Sequence, residues 1–172
     1  MANKEALREL QSRLAERLSA ARTQERGKSW LAVECSARGF LFPLREAGEI
    51  FALSPLQAVP HTHRWFLGVA NLRGHLHGVV DLAAFLGVKA ADANRDQARL
   101  VGFNPRFELN CALLVDRLSG LRSEEQLTAE QGDQAPRPGF VGVRYRDGAG
   151  RLWQELNMAE LASDEAFLRI VG

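Results

Sequence analysis

The apolar residues that follow residue 28 occur in short runs, separated at close intervals by glycine and proline. The first run places Leu31, Val33 and Cys35 on one side of an extended chain and Glu34 on the other, and this period of two predicts a half-buried β-strand. Further runs of this kind occupy residues 40–44, 50–59, 65–73, 76–81, 99–103, 109–116, 118–121, 140–145 and 152–156. Many short strands at this spacing predict an all-β barrel or sandwich with peripheral helices.

Turn signals indicate how several of these strands connect. Gly74 separates two strand-like runs and predicts a β-hairpin, as does the sequence Asp-Gly-Ala-Gly at residues 147–150. Pro43 lacks the amide hydrogen that a central strand position needs, so we place it at a strand end or on an edge strand. Residues 82–86 predict one or two helical turns that end at Gly87.

Two segments have a helical period instead. Residues 3–22 carry leucines at spacings of three and four, which predicts an amphipathic helix. Such a helix either lies on the domain surface or docks on a partner, and the polar residues 23–28 after it indicate a linker. Residues 158–170 predict a second amphipathic helix near the C-terminus.

These patterns divide the chain into a helical extension with its linker at residues 1–27 and a β-domain at residues 28–172. Within the β-domain, two strand-rich parts lie on either side of a polar loop around residues 88–98. They suggest two related barrels.

Charge and cysteine content exclude several function classes. The 22 Lys and Arg residues balance 21 Asp and Glu residues and leave a net charge of +1, so no overall field attracts nucleic acid or an anionic membrane. The longest uncharged stretch, residues 50–63, falls short of the ~20 apolar residues of a membrane helix. Cys35 and Cys111 lie in apolar runs, which indicates buried reduced thiols and a cytoplasmic protein.

The sequence contains no recognisable catalytic motif: no Gly-x-Ser-x-Gly, no phosphate-binding loop and no paired carboxylates outside polar surface stretches. Four histidines fall close together, at His61, His63, His75 and His77. A His-x-His pair can ligate a metal, but a loop after Pro60 and the lack of a nearby carboxylate favour solvated side chains. We therefore predict a protein that is not an enzyme and holds neither metal nor cofactor.

A β-barrel could also bind a small ligand or a nucleic-acid strand, and this alternative stays open. Single-stranded nucleic acid is bound by aromatic side chains set among basic ones. The nearest such group in this sequence consists of Arg144, Tyr145, Arg146 and Trp153.

The central region resembles the CheW adaptor family of bacterial chemosensory arrays. The resemblance rests on Gly-Val-Ala-Asn-Leu-Arg-Gly at residues 68–74, Val-Val-Asp-Leu at 79–82, Leu-Gly at 86–87 and Ala-Leu-Leu-Val-Asp-Arg-Leu at 112–118. Pro60 and Trp65 match the lead-in of that family, and Glu49-Ile50 matches its Glu-Ile pair. The similarity extends from about residue 30 to residue 171.

This resemblance implies a mainly β fold of two interwoven five-stranded SH3-like barrels, flanked by an N-terminal and a C-terminal helix. It implies a non-catalytic adaptor without a cofactor that couples methyl-accepting chemoreceptors to the regulatory domain of a CheA-type histidine kinase. Such a protein is cytoplasmic and sits at membrane-associated receptor arrays without inserting into the membrane. The N-terminal helix favours the PilI-like branch of the family, which serves type IV pilus twitching motility.

Residue matching places five positions where the family contacts partners, with Arg73, Glu49 and Gly68 at the centre and Ala47 and Leu44 as groove neighbours. Glu49 and Arg73 are expected to pair across neighbouring strands as a partly buried ion pair that fixes the groove. The glycine before Val-Val-Asp and the two nearby histidines depart from the family pattern. Asp81 is expected to cap the short helix that follows it.

Overall fold

The computed structural model describes residues 2–25, 27–89, 95–132 and 135–172. Eleven strands are present in the described residues: β1 Ser29–Cys35, β2 Arg38–Pro43, β3 Ala47–Ala52, β4 Phe66–Leu72, β5 His75–Asp81, β6 Arg99–Phe103, β7 Cys111–Val115, β8 Arg117–Ser123, β9 Leu127–Ala129, β10 Val141–Asp147 and β11 Leu152–Leu156. The α-helices are α1 Ala2–Glu25, α2 Leu82–Phe85, α3 Met158–Leu161 and α4 Glu165–Leu168, and 3-10 turns occupy Pro105–Phe107 and Glu124–Gln126.

The strands form two sheets whose segments are interwoven along the chain. A six-stranded sheet has the order β8-β1-β2-β11-β10-β9, and a five-stranded sheet has the order β3-β6-β7-β5-β4. Neighbouring strands are antiparallel except for the pairs β2–β11 and β5–β7. The first two strands thus pair with the last four, and the middle strands form the second sheet. The interwoven mainly β fold is confirmed, with six rather than five strands in one sheet.

The boundary between the two sheets differs from the one that strand content suggested. The five-stranded sheet takes strands from both sides of the predicted loop around residues 88–98, so the sheets do not divide there. Residues 90–94 of that loop lie outside the described residues, as do residue 26 of the predicted linker and residues 133–134. The division of the chain at residue 28 stays a prediction.

Strand β1 is buried on both faces, so its predicted half-buried state is wrong. Leu31, Val33 and Cys35 join the large core that the two sheets share. Trp30 and Ala32 face the opposite side and form a smaller core with other residues of the six-stranded sheet. The predicted alternation of side chains is present. The second face of β1 is not exposed to solvent, however, because residues of its own curved sheet pack against it.

The predicted turns are confirmed at three places. The β4–β5 hairpin turns at Gly74, and the β10–β11 hairpin turns at residues 147–150. The short helix α2 ends at Phe85, followed by its C-cap Leu86 and by Gly87 with a positive φ angle. Pro43 is the last residue of β2, which agrees with its expected place at a strand end.

The helices deviate from the predictions at both ends of the chain. Residues 3–17 of α1 are exposed throughout, and Leu7, Leu10 and Leu14 are each more than half exposed. Residues 3–17 of this helix therefore do not pack against the domain. At the C-terminus, the predicted single helix is split into α3 and α4. The Asp164 carboxylate accepts the Phe167 amide hydrogen and starts a new helix instead of continuing the old one.

Candidate functional site

Arg73 and Glu49 form an ion pair on the surface of the five-stranded sheet. Their Nη1 and Oε1 atoms lie 2.5 Å apart, and the two side chains are 73% and 42% exposed. The pair predicted from the sequence is therefore present. It does not connect neighbouring strands, because β3 and β4 are the two outer strands of this sheet. It is also exposed instead of partly buried.

The β4–β5 turn places the Arg73 side chain beside β3. Arg73 and Gly74 form a two-residue turn with positive φ angles of 50° and 81°, and the Asn71 side-chain oxygen accepts the Gly74 amide hydrogen at 2.9 Å. Such primed turns match the twist of a hairpin, and they favour glycine at the second position. The Asn-Leu-Arg-Gly motif is thus explained locally by the turn that carries the arginine.

Two exposed apolar residues lie on the strands next to this ion pair, and neither was predicted as part of the site. Leu76 on β5 is 64% exposed and Ile50 on β3 is 39% exposed. On the other face of the same two strands, the rings of Phe51 and His77 are in contact, with centroids 5.7 Å apart. Leu76 lies between His75 and His77 on β5 and therefore faces the opposite side of the strand from them. An exposed ion pair with exposed apolar residues on the flanking strands can contribute to a surface that recognises a protein partner.

Leu44 lies between β2 and β3, and Ala47 is the first residue of β3. Leu44 is 42% exposed and lines a cavity of about 610 Å³ together with Trp30, Glu46 and Glu155. Ala47 is half-buried and pairs with Phe103 of β6. A partner role for these two residues stays a prediction.

Gly68 is buried in β4, and its backbone explains why glycine occupies this position. Its φ angle is +133°, and a β-carbon there would lie 2.2 Å from the carbonyl oxygen of Gln57. The Gln57 and Val69 backbones exchange two hydrogen bonds of 2.8 and 2.9 Å at this point. Gly68 therefore allows the chain after β3 to approach β4, and its direct contact with a partner stays a prediction.

Three polar side chains near the sequence motifs, those of His63, His77 and Asp81, make contacts within the chain. Among the described residues, no three His, Cys, Asp or Glu side chains are grouped so that they could hold a metal ion. His63 stacks on Trp65 at 5.2 Å, and His77 Nδ1 lies 3.0 Å from the His75 carbonyl oxygen. Asp81 caps α2 as expected: its carboxylate accepts the Ala84 amide hydrogen, and it also binds Lys89 Nζ at 2.6 Å.

The two cysteines are buried thiols. Burial raises the pKa of Cys35 and that of Cys111 to about 12. Since a protonated thiol is a poor nucleophile, neither cysteine is prepared for covalent catalysis at neutral pH.

The aromatic residues of the predicted nucleic-acid alternative are not available for stacking. Trp153 is 1% exposed and Tyr145 is 7% exposed. The Trp153 indole donates to Asp147 Oδ2 at 3.0 Å, which lowers the pKa of that carboxyl. Both rings are core residues of the six-stranded sheet, so the β10–β11 hairpin offers no platform for bases.

No helix in the described ranges is long and apolar enough to cross a membrane.

Comparison with known proteins agrees with the fold and the motifs described above. The family model described as the CheW-like domain matches residues 29–166. The chain is 28% identical over 155 residues to the protein PilI of Pseudomonas aeruginosa, covering 86% of this chain and 83% of that protein. It is 30% identical over 120 residues to the chemotaxis protein CheW of Rhizobium meliloti, covering 65% of this chain and 68% of that protein.

A shorter match and a solved structure extend this comparison. A probable chemotaxis protein CheW of Rhizobium etli is 34% identical over 91 residues, covering 53% of this chain and 57% of that protein. The crystal structure of the scaffolding protein TtCheW from Thermoanaerobacter tengcongensis superimposes with a TM-score of 0.63 at 15% identity, covering 76% of this chain and 84% of that one. At this identity, the structural match supports the fold alone.

Proposed function

Because this chain belongs to the CheW-like family, we propose that it is a non-catalytic adaptor that couples methyl-accepting chemoreceptors to a CheA-type histidine kinase. The family match over residues 29–166 carries this proposal. The similarity to PilI over most of the chain favours a pilus-linked signalling system over a flagellar one. Such an adaptor works at receptor arrays on the inner side of the membrane without inserting into it.

The surface around Glu49 and Arg73 is our candidate for the partner contact. The Arg73 side chain keeps most of its surface exposed although it is paired with Glu49. It can therefore donate further hydrogen bonds to a partner while Ile50 and Leu76 supply apolar contact beside it. Holding two larger proteins on one rigid domain raises the effective concentration of each for the other. The signal then passes as a population shift of the kinase, without chemistry in this chain.

Co-sedimentation with receptor fragments and the kinase from the same cells tests this proposal. We expect the wild-type chain and the control Arg64→Glu to sediment with the array, because Arg64 is an exposed arginine at the other end of β4. Arg73→Glu is expected to stay in the supernatant while its circular dichroism remains native. Normal co-sedimentation of a folded Arg73→Glu would contradict the proposal.

A charge swap separates direct contact from positioning. The double variant Glu49→Arg with Arg73→Glu can restore an ion pair with the opposite orientation. If Arg73 touches the partner directly, as we propose, the swap does not restore co-sedimentation. Full recovery would show that the pair only positions the groove.

A further inference from the structure

A second surface lies on the six-stranded sheet and has a different composition. A cleft of about 530 Å³ opens between β2, β10 and β11 on one side and the chain after α2 on the other. Its apolar lining includes Phe40, Leu86, Val88, Val141, Leu152 and Leu156. Glu49 and Arg73 are not among its lining residues.

The strand register explains why this cleft exists. Phe40 on β2 pairs with Gln154 on β11, and Gln154 pairs with Arg144 on β10, so the three residues share one face of the sheet. Arg38 lies two positions before Phe40 on β2, and Leu152 lies two positions before Gln154 on β11, so both are on this same face. Part of this face, including Phe40, belongs to the core shared with the five-stranded sheet. At Arg38 and Leu152 the face becomes exposed.

The charged residues that line this cleft are all basic. Three arginines line it, and no Asp or Glu does. Arg151 is already engaged within the chain, since its guanidinium binds Glu34 and lies over the Trp153 ring. Arg38 and Arg144 are exposed, and within the described part of the chain no carboxylate pairs with either of them. The cavity beside Leu44, in contrast, is lined by two glutamates as well as by basic residues.

We propose that this cleft is a docking site for an acidic protein segment, one that carries carboxylates on either side of an apolar side chain. The apolar side chain would cover Leu152, which is 40% exposed, and the half-exposed Leu86 and Val88. The carboxylates would pair with Arg38 and Arg144, whose forked guanidinium groups suit bidentate contact. A small inorganic anion would leave the apolar lining uncovered, which is why a segment with both features fits better. This site is separate from the surface around Arg73 and does not depend on its function.

The test is a titration of the full-length ¹⁵N-labelled chain with the peptide Ac-Glu-Glu-Leu-Phe-Glu-Glu-NH₂, followed by NMR. We expect the largest shifts at amides of β2, β10, β11 and residues 86–88. Replacement of the two apolar residues of the peptide by serine, or of its glutamates by lysine, should abolish these shifts. Each of Arg38→Gln and Arg144→Gln should weaken the affinity about fivefold, the order expected for one exposed charge pair.

Variants of the chain make the outcome decisive. The double variant Arg38→Glu with Arg144→Glu should lose the acidic peptide and bind the lysine peptide in the same cleft. Arg64→Glu and Arg73→Glu should bind the acidic peptide as the wild type does, because neither residue lines the cleft. The cleft proposal is therefore tested independently of the proposed adaptor surface. Shifts located elsewhere, or equal affinity in the double variant, would overturn the proposal. Cleft shifts that depend on protein concentration without peptide would instead assign the cleft to a second copy of the chain and would also overturn it.

Discussion

The Arg73 guanidinium and the Glu49 carboxylate, with Nη1 and Oε1 atoms 2.5 Å apart, connect the turn after β4 to β3, so that the two outer strands of the five-stranded sheet are linked. The backbone links the same two regions independently, through the paired hydrogen bonds between Gln57 and Val69. An exposed ion pair stabilises a fold by only about 0–1 kcal/mol. The sheet therefore does not need this pair for closure, and its charges remain available for recognition.

The first prediction concerns the stability cost of this pair. Glu49→Gln and Arg73→Gln should each change the free energy of unfolding by less than about 1 kcal/mol, because both side chains are solvated. Urea denaturation followed by tryptophan fluorescence measures this value. A loss of several kcal/mol would show that the pair holds the sheet closed, and it would weaken the case that Arg73 serves a partner.

The second prediction compares two glycines of the same motif. Gly68→Ala should destabilise the fold by about 3 kcal/mol or more, because the new β-carbon would overlap the Gln57 carbonyl oxygen at a positive φ angle. Gly74→Ala should cost only about 1–2 kcal/mol, since nothing lies within 4 Å of its β-carbon position and the strain of the turn is the only penalty. Thermal unfolding of the two variants side by side measures the difference. Equal losses would contradict the close approach at Gly68.

The third prediction is a stabilising substitution. The β1–β2 turn places Ser36 and Ala37 at φ angles of 50° and 63°, a region that favours glycine. The Ser36 amide hydrogen is held by Asp116 Oδ2 at 2.7 Å, which offsets part of the strain. Ala37→Gly should therefore raise the free energy of unfolding by about 1 kcal/mol. Chemical denaturation of this variant beside the wild type measures the gain. A lower stability than wild type would show that the turn is not strained at Ala37.

The strands and turns could be predicted because their signals are local. The alternation in β1, the glycine at the β4–β5 turn and the Asp-Gly-Ala-Gly turn each lie within a few residues. Which strands pair is not a local property: β2 lies beside β11 although more than a hundred residues separate them. For the same reason the burial of both faces of β1 could not be predicted, since it depends on strands from the other end of the chain.

The helices and the site show a similar division. The leucine stripe of α1 indicates an apolar face but not what covers it, and in the structure Leu7, Leu10 and Leu14 remain exposed. Asp164 could equally continue a helix or cap a new one, and only the tertiary arrangement decides between them. At the site, the local turn predicted the position of Arg73, whereas its pairing with Glu49 came from the family resemblance. The exposed Leu76 was missed because a single apolar residue on a strand normally indicates core.

The fourth prediction tests the division of the chain at residue 28. Residues 3–17 of α1 are exposed throughout, so this part of the helix buries no surface against the domain. Deletion of residues 1–27 should therefore leave the midpoint of thermal unfolding of the β-domain within about 2 °C of the wild type. Differential scanning calorimetry measures this midpoint. A large decrease would show that the extension is an integral part of the domain.

The last prediction concerns Glu34, whose carboxylate binds both Arg117 and Arg151 and so connects β1 with β8 and with the β10–β11 hairpin. Burial raises the pKa of Glu34, but hydrogen bonds and charges from the two arginines outweigh it, so that the pKa lies below its usual 4.5. The stabilisation by the ionised carboxylate is therefore fully present above pH 4.5 and is lost as the pH falls through the lowered pKa.

Glu34→Gln should cost about 2 kcal/mol at pH 7, and the difference from wild type should shrink in acid. The matched control Glu130→Gln breaks the more exposed pair with Arg146 and should cost less than about 1 kcal/mol. Urea denaturation between pH 3 and pH 7 measures both series, and a cost for Glu34→Gln that does not change with pH would contradict the ionised network.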